Sequence, residues 1–256
     1  MNAVSTELRK TILELQNLTS VAKFALGGGT NLALRYQHRI SIDIDFISPY
    51  TIGKSGFEKI IAEVKENFGS RILNLILINE DLGEQYMFLR MFIKAENEII
   101  KVEFLQNMKC LFEPQILDEI RLIHENDIGL FKLMSATNRF AKKDIYDLEF
   151  ITEKIALTEL FRQLSEKREV FNLLEHQCLF DLDIEKYVLD YPELLLEFDE
   201  PQNSKAHRPS HTHDRIDIVE GNKSWIEARL NWRMKVRRLF SDLGKDFPSP
   251  KGKSIK

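Results

Sequence analysis

The chain has few cysteines, no excess of basic charge and no long apolar run. Cys110 and Cys178, its only cysteines, lie far apart without a CxxC spacing, which argues against a zinc ribbon or a disulfide framework. No stretch approaches the roughly 20 apolar residues of a membrane span, and the N-terminus lacks the basic-then-apolar order of a signal peptide. These absences predict a soluble cytoplasmic protein with no membrane partner.

Size and charge narrow the class of protein further. The 256 residues, 43% hydrophobic and 30% charged, are sufficient for one large globular domain or two smaller ones. Lysine and arginine total 36 against 40 aspartates and glutamates, a net charge of -4. The overall charge therefore gives no nucleic-acid signature, although a local basic patch remains compatible with it.

The apolar periodicity changes from mixed to helical along the chain. Spacings of three and four predict N-terminal helices at 5–18, 30–35 and 57–68. Alternation and short apolar runs predict strands at 24–26, 41–47, 71–79, 85–94 and 98–106. Helical patterns then follow at 115–122, 127–140, 143–154, 157–174, 184–197 and 225–240. The sequence predicts an α/β N-terminal half and a helical C-terminal half, with a polar linker or long loop at 199–224 and a basic helix and tail at 225–256.

A run of three glycines, Gly27 to Gly29, separates a predicted strand from a predicted helix and precedes Thr30. Because glycine has no Cβ, the backbone N–H groups of such a turn can approach an anion such as phosphate. The run is neither a Walker A motif nor GxGxxG, and a glycine turn before a helix is more often a turn alone.

Acidic residues occupy two predicted strands. Asp43 and Asp45 alternate with apolar residues, so their carboxylates lie on one side of the strand, where repulsion is costly unless a cation lies between them. Oxygen ligands suit Mg²⁺ or Mn²⁺. Glu103 has the same alternation and would complete a three-carboxylate cluster if its strand neighbours the first. The alternative is that the paired acids lie on an exposed strand face.

The helical half adds candidate phosphate ligands. One face of the helix at 127–140 carries residues spaced i, i+3, i+4 and i+7: Lys132, Ser135, Ala136 and Arg139. The two cations could hold a polyphosphate, or they could be solvated. Asp144 and Asp147 open the next helix, where acids are also favourable for structural reasons. The spacing of His207, His211 and His213 permits adventitious metal binding only.

Two blocks of sequence resemble a known family. The block LGGGTNLALRYQHRISIDIDFIS resembles the opening motif of the AbiEii/AbiGii toxin group of nucleotidyltransferases, which has two glycines, Ser or Thr, an apolar helix, Arg-x-Ser and Asp-x-Asp-Phe. The block DIGLFKLMSATNRFAKKDIYDL resembles its second signature, an Asp, a Lys five residues later, an Arg, and a Lys or Arg followed by Asp-x-x-Asp. The resemblance extends over residues 20–155.

The resemblance implies a fold and a set of site residues. The fold is a polymerase-β-like nucleotidyltransferase core with a small mixed sheet at 1–112, followed by a helical domain at 113–198. Residues implied to contact the NTP triphosphate or support its site are Gly28, Gly29, Thr30, Arg39, Ser41 and Lys132, with Arg139 on the same helical face as Lys132. Asp43 and Asp45 would hold Mg²⁺ or Mn²⁺ with Glu103, which stands where the family often has Asp. Asp144 would be a further essential residue.

The resemblance also implies a function. It predicts a metal-dependent transfer of NMP from NTP, by the toxin of a toxin–antitoxin or abortive-infection system with a cognate antitoxin. The acceptor would be RNA, at the 3′ end of tRNA. Residues 223–256 contain ten lysines and arginines against three acids, and Arg229, Arg233 and Arg237 lie at i, i+4 and i+8. Alternatives are a small-molecule or protein nucleotidyltransferase and a catalytically silent binding protein, which the intact acids disfavour.

Overall fold

The computed structural model describes residues 2–182, 184, 186–198 and 215–249. The α-helices in this part of the chain are α1 (Thr6–Gln16), α2 (Gly28–Tyr36), α3 (Gly53–Phe68), α4 (Glu125–Arg139), α5 (Lys142–Ile151), α6 (Leu157–Val170) and α7 (Trp225–Asp242). The strands are β1 (Ala25–Leu26), β2 (Asp43–Ile47), β3 (Ile72–Ile78), β4 (Phe88–Lys94), β5 (Ile99–Leu105), β6 (Gln115–Leu117) and β7 (Ile120–Leu122).

The strands form one mixed sheet in the order β3-β4-β5-β2-β1-β7-β6. β2 runs parallel to β5, and β1 runs parallel to β7, while the other neighbouring pairs are antiparallel. Ile44 and Phe46 of β2 pack in one hydrophobic cluster with α1 and α3. Ile47 of β2 joins a second cluster with α4, α6 and α7. The sheet is thus covered by different helices on its two faces, and the mixed α/β fold is confirmed.

Local sequence explains where the terminal helices begin. Ser5 caps α1 by accepting a hydrogen bond from the backbone N–H of Leu8 at 2.9 Å. Ser224 and Glu227 form a reciprocal capping box at the start of α7. α7 buries Trp232 completely, and the indole N–H donates to the Leu195 carbonyl oxygen at 2.8 Å. The basic C-terminal helix is therefore part of the hydrophobic core.

The helix predicted at 115–122 is wrong, because this segment forms the β6–β7 hairpin. Asp118 and Glu119 both have positive φ angles, 46° and 69°, which suit a two-residue hairpin turn. Ile120 and Leu122 are buried on either side of the partly exposed Arg121, a period of two. The sheet thus extends past the predicted boundary at residue 112, and the division into domains stays a prediction.

Two other predicted segments differ from the structure or lie partly outside it. Within the region predicted as a helix at 184–197, the described residues contain only a short 3-10 helix, Pro192–Leu196. The start of the predicted linker, with its three histidines, lies outside the described residues. Its later part is packed, since Asp217 accepts a backbone hydrogen bond from Ile40 at 2.7 Å and Ile218 pairs with Arg39.

In the described part of the chain, no helix is both long and apolar enough to span a membrane.

Candidate active site

Carboxylates from two adjacent strands meet on one face of the sheet. Asp45 on β2 lies directly opposite Glu103 on β5, and Asp43 lies opposite Lys101. Because side chains alternate along a strand, all four lie on the same face. The two acid-bearing strands are therefore neighbours, which meets the condition for a three-carboxylate cluster, and the pairing adds a lysine to which the sequence pattern assigns no role.

Lys101 and Arg90 balance these acids. The Lys101 ammonium lies 3.5 Å from Asp43 Oδ2 and 3.4 Å from Glu103 Oε2. Arg90 Nε donates to Glu103 Oε1 at 2.7 Å. Burial by itself would lower the pKa of Lys101, but Asp45, Glu103 and Asp43 raise it above the ordinary value. Lys101 is thus held as a cation among three carboxylates.

Burial also makes the acids harder to ionise. It raises the pKa of Asp43 against the opposing effect of Lys101. It likewise raises the pKa of Glu103, which is only 1% exposed. A bound cation would oppose both shifts, because positive charge stabilises the ionised form. The electrostatics of this face therefore favour a cationic ligand beside Asp43 and Asp45.

The donor chemistry fits a divalent ion at Asp43 and Asp45, whose oxygens lie on one face beside a compensating lysine. Across the described ranges, no group of three His, Cys, Asp or Glu residues is arranged as a metal centre. Glu103 is engaged by Arg90 and Lys101. Its role as a third ligand therefore stays a prediction.

The glycine turn packs directly against the site. Gly28 has a φ of +60°, and a Cβ there would lie 2.0 Å from Asp45 Oδ2. A Cβ on Gly29 would lie 2.2 Å from Arg39 Nη2. Gly28 therefore requires glycine, because its φ is positive and Asp45 lies against the backbone at the beginning of α2, whereas a Cβ on Gly29 would displace the end of the Arg39 side chain.

Thr30 and Ser41 anchor this turn to β2. The buried Thr30 hydroxyl donates to the carbonyl oxygen of Asp43 and lies 2.8 Å from the Ser41 hydroxyl oxygen. Both hydroxyls therefore have contacts within the protein. These contacts hold α2 against β2. The implied contact of Thr30 with the triphosphate and the implied support of the phosphate site by Ser41 stay predictions.

Beside the sheet lies a buried ionic network around Asp144 and Asp147 of α5, whose side chains are both 0% exposed. Arg39 donates from Nε and Nη2 to the two Asp147 oxygens at 2.6 and 2.7 Å. Lys132 Nζ lies 2.7 Å from Asp144 Oδ1 and 2.6 Å from Asp147 Oδ2. Arg139 donates to both oxygens of Asp144 at 2.6 and 2.7 Å. Three basic side chains surround two carboxylates, a formal excess of one positive charge.

His38 completes the network in its neutral form. Its Nε2 lies 2.7 Å from Asp147 Oδ1, and burial lowers its pKa below the ordinary value even though Asp147 opposes the shift. Burial would raise the pKa of Asp147, but Arg39 and Lys132 hold that pKa well below its usual range. Arg139 and Lys132 likewise lower the pKa of Asp144. Both carboxylates are therefore ionised.

The network and the sheet carboxylates form one electrostatic unit. The pKa of Arg39 is raised above its ordinary value. Burial opposes this shift, whereas Asp147 and Asp144 chiefly cause it and Asp45 also contributes. Asp45 contributes in the same way to the raised pKa of Arg139, after Asp144. The carboxylates of β2 thus lie within the field of the cations on the other side of the site.

The structure places each predicted cation beside an acid. Arg39, which the resemblance assigns to the phosphate site, pairs with Asp147. Lys132 is 7% exposed, so the solvated-surface interpretation of this helical face is wrong. The sequence pattern assigns no role to His38, Lys101 or Asp147, although Asp147 closes the Asp-x-x-Asp signature and Lys101 shares a strand with Glu103.

Lys143, the lysine directly before Asp-x-x-Asp in the second signature, is a further residue of the site, to which the sequence pattern assigns no role. It lies in the first turn of α5, and burial lowers its pKa, with Arg39 acting in the same direction and Asp43 opposing. Within the described residues, no ion pair to Lys143 is found. It is therefore a partly buried cation between the two charged clusters.

Residues 14–240 match the family described as nucleotidyl transferase AbiEii toxin, type IV TA system. An uncharacterized protein of Aquifex aeolicus (strain VF5) is 28% identical over 157 residues, which are 60% of this chain and 69% of that protein. The crystal structure of a provisionally assigned nucleotidyltransferase from H. pylori matches at a TM-score of 0.52 and 16% identity, over 92% of this chain and 93% of that one.

The nucleotidyltransferase toxin MenT4 of Mycobacterium tuberculosis H37Rv matches at a TM-score of 0.47 and 17% identity, over 94% of this chain and 82% of that one, a score too low to establish a shared fold. The H. pylori structure shows the nucleotidyltransferase fold. Because the family match covers most of the sequence, including both groups of charged residues, the chain belongs to the AbiEii nucleotidyl transferase toxins of type IV toxin–antitoxin systems.

Proposed function

We propose that the protein transfers NMP from an NTP to an RNA acceptor, the 3′ end of tRNA, in a reaction that depends on Mg²⁺ or Mn²⁺. The observation that carries the proposal is the packing of Asp45 against Gly28 at the beginning of α2. It brings a candidate metal ligand beside backbone N–H groups at a helix N-terminus, where a phosphate is favoured.

Asp43 and Asp45 would hold the metal, which supplies charge neutralisation at the α-phosphate and the leaving pyrophosphate. The triphosphate lies along Gly28 and Gly29, in the positive field of Arg39, Lys132 and Arg139. Lys143, the partly buried cation between the clusters, contacts it directly. Asp144 and Asp147 hold Arg39, Lys132 and Arg139 in position. Asp144 therefore supports the triphosphate site through these cations and does not contact the substrate itself.

The reaction is an in-line displacement. The acceptor hydroxyl oxygen forms a bond to the α-phosphorus as the bond from that phosphorus to the β-phosphate bridging oxygen breaks. Pyrophosphate leaves with the electron pair of the broken bond. The hydroxyl proton passes to a carboxylate of the Asp43–Asp45 pair, and from there to solvent.

The family implies a cognate antitoxin, and we infer that this protein is the toxin of such a pair, acting in the cytoplasm where NTP and tRNA are available. A basic patch suits a polyanionic acceptor: Arg237 and Arg238 of α7 are exposed, and Arg233 is partly exposed. Contacts to phosphates would make RNA binding salt-dependent.

The test is incubation of the protein with each labelled NTP, Mg²⁺ and total RNA. We expect label in tRNA with the wild type and none with Asp45→Asn, whose thermal melting should be unchanged. Asp118→Asn, at the exposed β6–β7 turn, is the matched control and should keep full activity. Full activity of Asp45→Asn would show the site assignment to be wrong.

The position of the label separates the alternatives. Label that migrates with the protein or with a small molecule, while tRNA stays unlabelled, would reject RNA as acceptor and leave the transfer chemistry standing. No transfer with any NTP, together with retained RNA or antitoxin binding, would indicate a catalytically silent binding protein.

A further inference from the structure

The sheet face that carries the candidate catalytic acids continues outward to the β3 edge. Strand pairing aligns two rows of side chains on this face. The first row is Asp43, Lys101, Phe92 and Asn74, and the second is Asp45, Glu103, Arg90 and Ile76. Each row therefore leads from an acid of β2 to the edge of the sheet.

This outer part of the face is open to solvent. Ile76 is 50% exposed and Asn74 is exposed. Phe92 is partly exposed, and within the described residues it belongs to none of the hydrophobic clusters. By contrast, Phe88 and Leu105 in the next row are buried against the C-terminal helices. The opening therefore begins at the two rows that contain the acids.

The chemistry of the open rows suits a nucleic-acid strand. Phe92 pairs directly with Lys101 and lies two residues from Arg90 on the same face. Arg90 donates to Glu103 through Nε, and among the described residues its two terminal nitrogens have no hydrogen-bond acceptor, so they can contact a phosphate. An aromatic ring between cations is the arrangement on which single-stranded bases stack without sequence preference.

The spacing matches an acceptor that ends at the acids. Neighbouring strands lie about 4.8 Å apart, so β4 is about 10 Å from β2. That separation equals about three stacked nucleotide steps at roughly 3.4 Å each. A base stacked on Phe92 would thus belong to a nucleotide close to the reacting 3′ end.

We propose that this surface, the Phe92 platform (Asn74, Ile76, Arg90, Phe92 and Lys101), binds the single-stranded end of the RNA acceptor, with one base stacked on the Phe92 ring. The proposal rests on the proposed function, because it takes the acids of β2 as the site of reaction. Its continuity with those acids, where the acceptor would end, and the exposed ring of Phe92 beside the Arg90 guanidinium favour RNA over a protein partner as the occupant, although Lys101 and Arg90 are also paired with acids.

The test compares three variants. Phe92→Leu removes the aromatic face and keeps an apolar side chain, whereas Phe92→Trp keeps the aromatic face. Ile116→Ala, at a 69% exposed position on the opposite edge of the sheet, is the control for removal of an exposed apolar side chain. Binding of a short single-stranded RNA is measured by fluorescence anisotropy without NTP, and the KM values for RNA and for NTP are measured separately.

We expect Phe92→Leu to weaken RNA binding and raise the KM for RNA by about tenfold or more, the scale of one base–aromatic stack. The KM for NTP and the melting temperature should stay unchanged. Phe92→Trp should bind RNA at least as well as the wild type. Ile116→Ala should bind RNA with the affinity of the wild type. A merely structural role of Phe92 would instead change the melting temperature of both Phe92 variants.

Several results would overturn the platform. These are equal RNA affinity of the wild type and Phe92→Leu, no RNA binding by the wild type, or loss of antitoxin binding alone in Phe92→Leu, which would indicate a protein-docking surface. NMP transfer to RNA with an unchanged acceptor KM in Phe92→Leu would refute the platform while the proposed function stands. Phe92-dependent RNA binding without NMP transfer to RNA would refute the proposed function while the platform stands.

Discussion

Arg39 and Asp147 are joined by two hydrogen bonds, from Nε at 2.6 Å and from Nη2 at 2.7 Å, across 108 residues of sequence. The pair attaches the segment before β2 to α5 and is buried on both sides. Lys132 and His38 contact the same carboxylate. Asp147 is therefore the common anchor of Arg39 and Lys132, two of the cations proposed to surround the triphosphate.

Asp147→Asn should be strongly destabilising. The substitution removes the carboxylate that compensates the buried charges of Arg39 and Lys132. Breaking a buried ion pair in this way lowers the free energy of unfolding by about 3–5 kcal/mol. Urea denaturation should show this decrease in the free energy of unfolding. Asp217→Asn, which removes an acid from the exposed pair with Arg215, should change it by less than about 1 kcal/mol. Similar values for the two variants would contradict the anchoring role.

The same pair predicts the direction of the pH dependence. The pKa of Asp147 is lower in the folded protein than its ordinary value. Its contribution to stability is thus complete above the unfolded pKa of about 3.9 and is lost as pH falls from there toward the folded pKa. The unfolding free energy of Asp147→Asn should depend less on pH below about 4 than that of the wild type.

Local patterns in the sequence predict more of the fold than of the site's contacts. Alternation identifies β2 and β5, and helical spacing places Lys132 and Arg139 on one face of α4. The Arg39–Asp147 pair follows from how α5 packs against a distant loop, which no local periodicity encodes. The hairpin at 115–122 escapes prediction because its strands are three residues long, too short for a period of two to stand out from helical spacing.

Lys132 and Lys143 should respond differently to substitution. Lys132→Ala removes a cation that touches both Asp144 and Asp147, so we expect a loss of stability together with weaker NTP binding. Lys143→Met should leave the melting temperature within about 2 °C of the wild type and weaken NTP binding about tenfold or more. Calorimetric titration with NTP and a thermal melt measure the two effects. NTP binding by Lys143→Met at wild-type affinity would exclude direct phosphate contact by Lys143.

For Lys132, the second signature predicts weaker NTP binding with RNA binding largely kept. Because Lys132 also contacts two buried acids, its effect on NTP binding can be separated from its effect on stability only in a variant that still folds. Lys132→Arg keeps the charge, and it should preserve stability better than Lys132→Ala. Equal weakening of NTP and RNA binding in a folded Lys132 variant would assign this lysine to the scaffold.

Gly28→Ala tests the contact between the glycine turn and Asp45. A new Cβ would require both a positive φ and displacement of the Asp45 carboxylate, so we expect loss of NMP transfer. Gly244→Ala is the matched control, because its φ is +64° and nothing lies within 4 Å of the added Cβ. It should cost about 1 kcal/mol of stability from backbone strain and leave transfer intact. Normal transfer by Gly28→Ala would disprove the close packing.

Truncation after Ser224 should unfold the protein and not merely weaken RNA binding. The deletion removes Trp232, Val236 and Leu239, which are buried in the core cluster with α4 and α6. Circular dichroism of the truncated chain should show the loss of structure. A cooperative melt of that chain would contradict this prediction.

RNA binding by α7 is better tested by substitution on its exposed surface. Arg237→Gln combined with Arg238→Gln should weaken tRNA binding and leave NTP binding intact. The slope of the logarithm of tRNA affinity against the logarithm of salt concentration should become shallower by about one for each phosphate that is no longer neutralised. Lys245→Gln, in the tail after the helix, is a single-charge comparison. Unchanged tRNA affinity in the double variant would remove α7 from the acceptor site.

Lys167→Met should stabilise the protein. Lys167 is 8% exposed, and its ammonium has no hydrogen-bond partner in the part of the chain that the structure describes, although it lies 3.8 Å from the centre of the Phe131 ring. Methionine keeps the apolar packing and removes a buried charge that costs free energy. We expect a gain of about 1 kcal/mol, or roughly 2–4 °C in melting temperature. Lys154→Met, at an exposed lysine over Tyr36, should give no gain.

The pH dependence of this gain follows from the pKa of Lys167, which burial lowers from the ordinary value while Cys110 and Asp127 oppose the shift. Below the folded pKa both states of the wild type bind the proton and the charged amine is buried at full cost. Between the folded pKa and the unfolded value of about 10.4, the unfolded state holds more protons, so wild-type stability rises with pH relative to Lys167→Met. The gain should therefore be largest below the folded pKa and shrink as pH rises from there toward about 10. A less stable Lys167→Met at neutral pH would show that the contact with Phe131 outweighs the cost of burial.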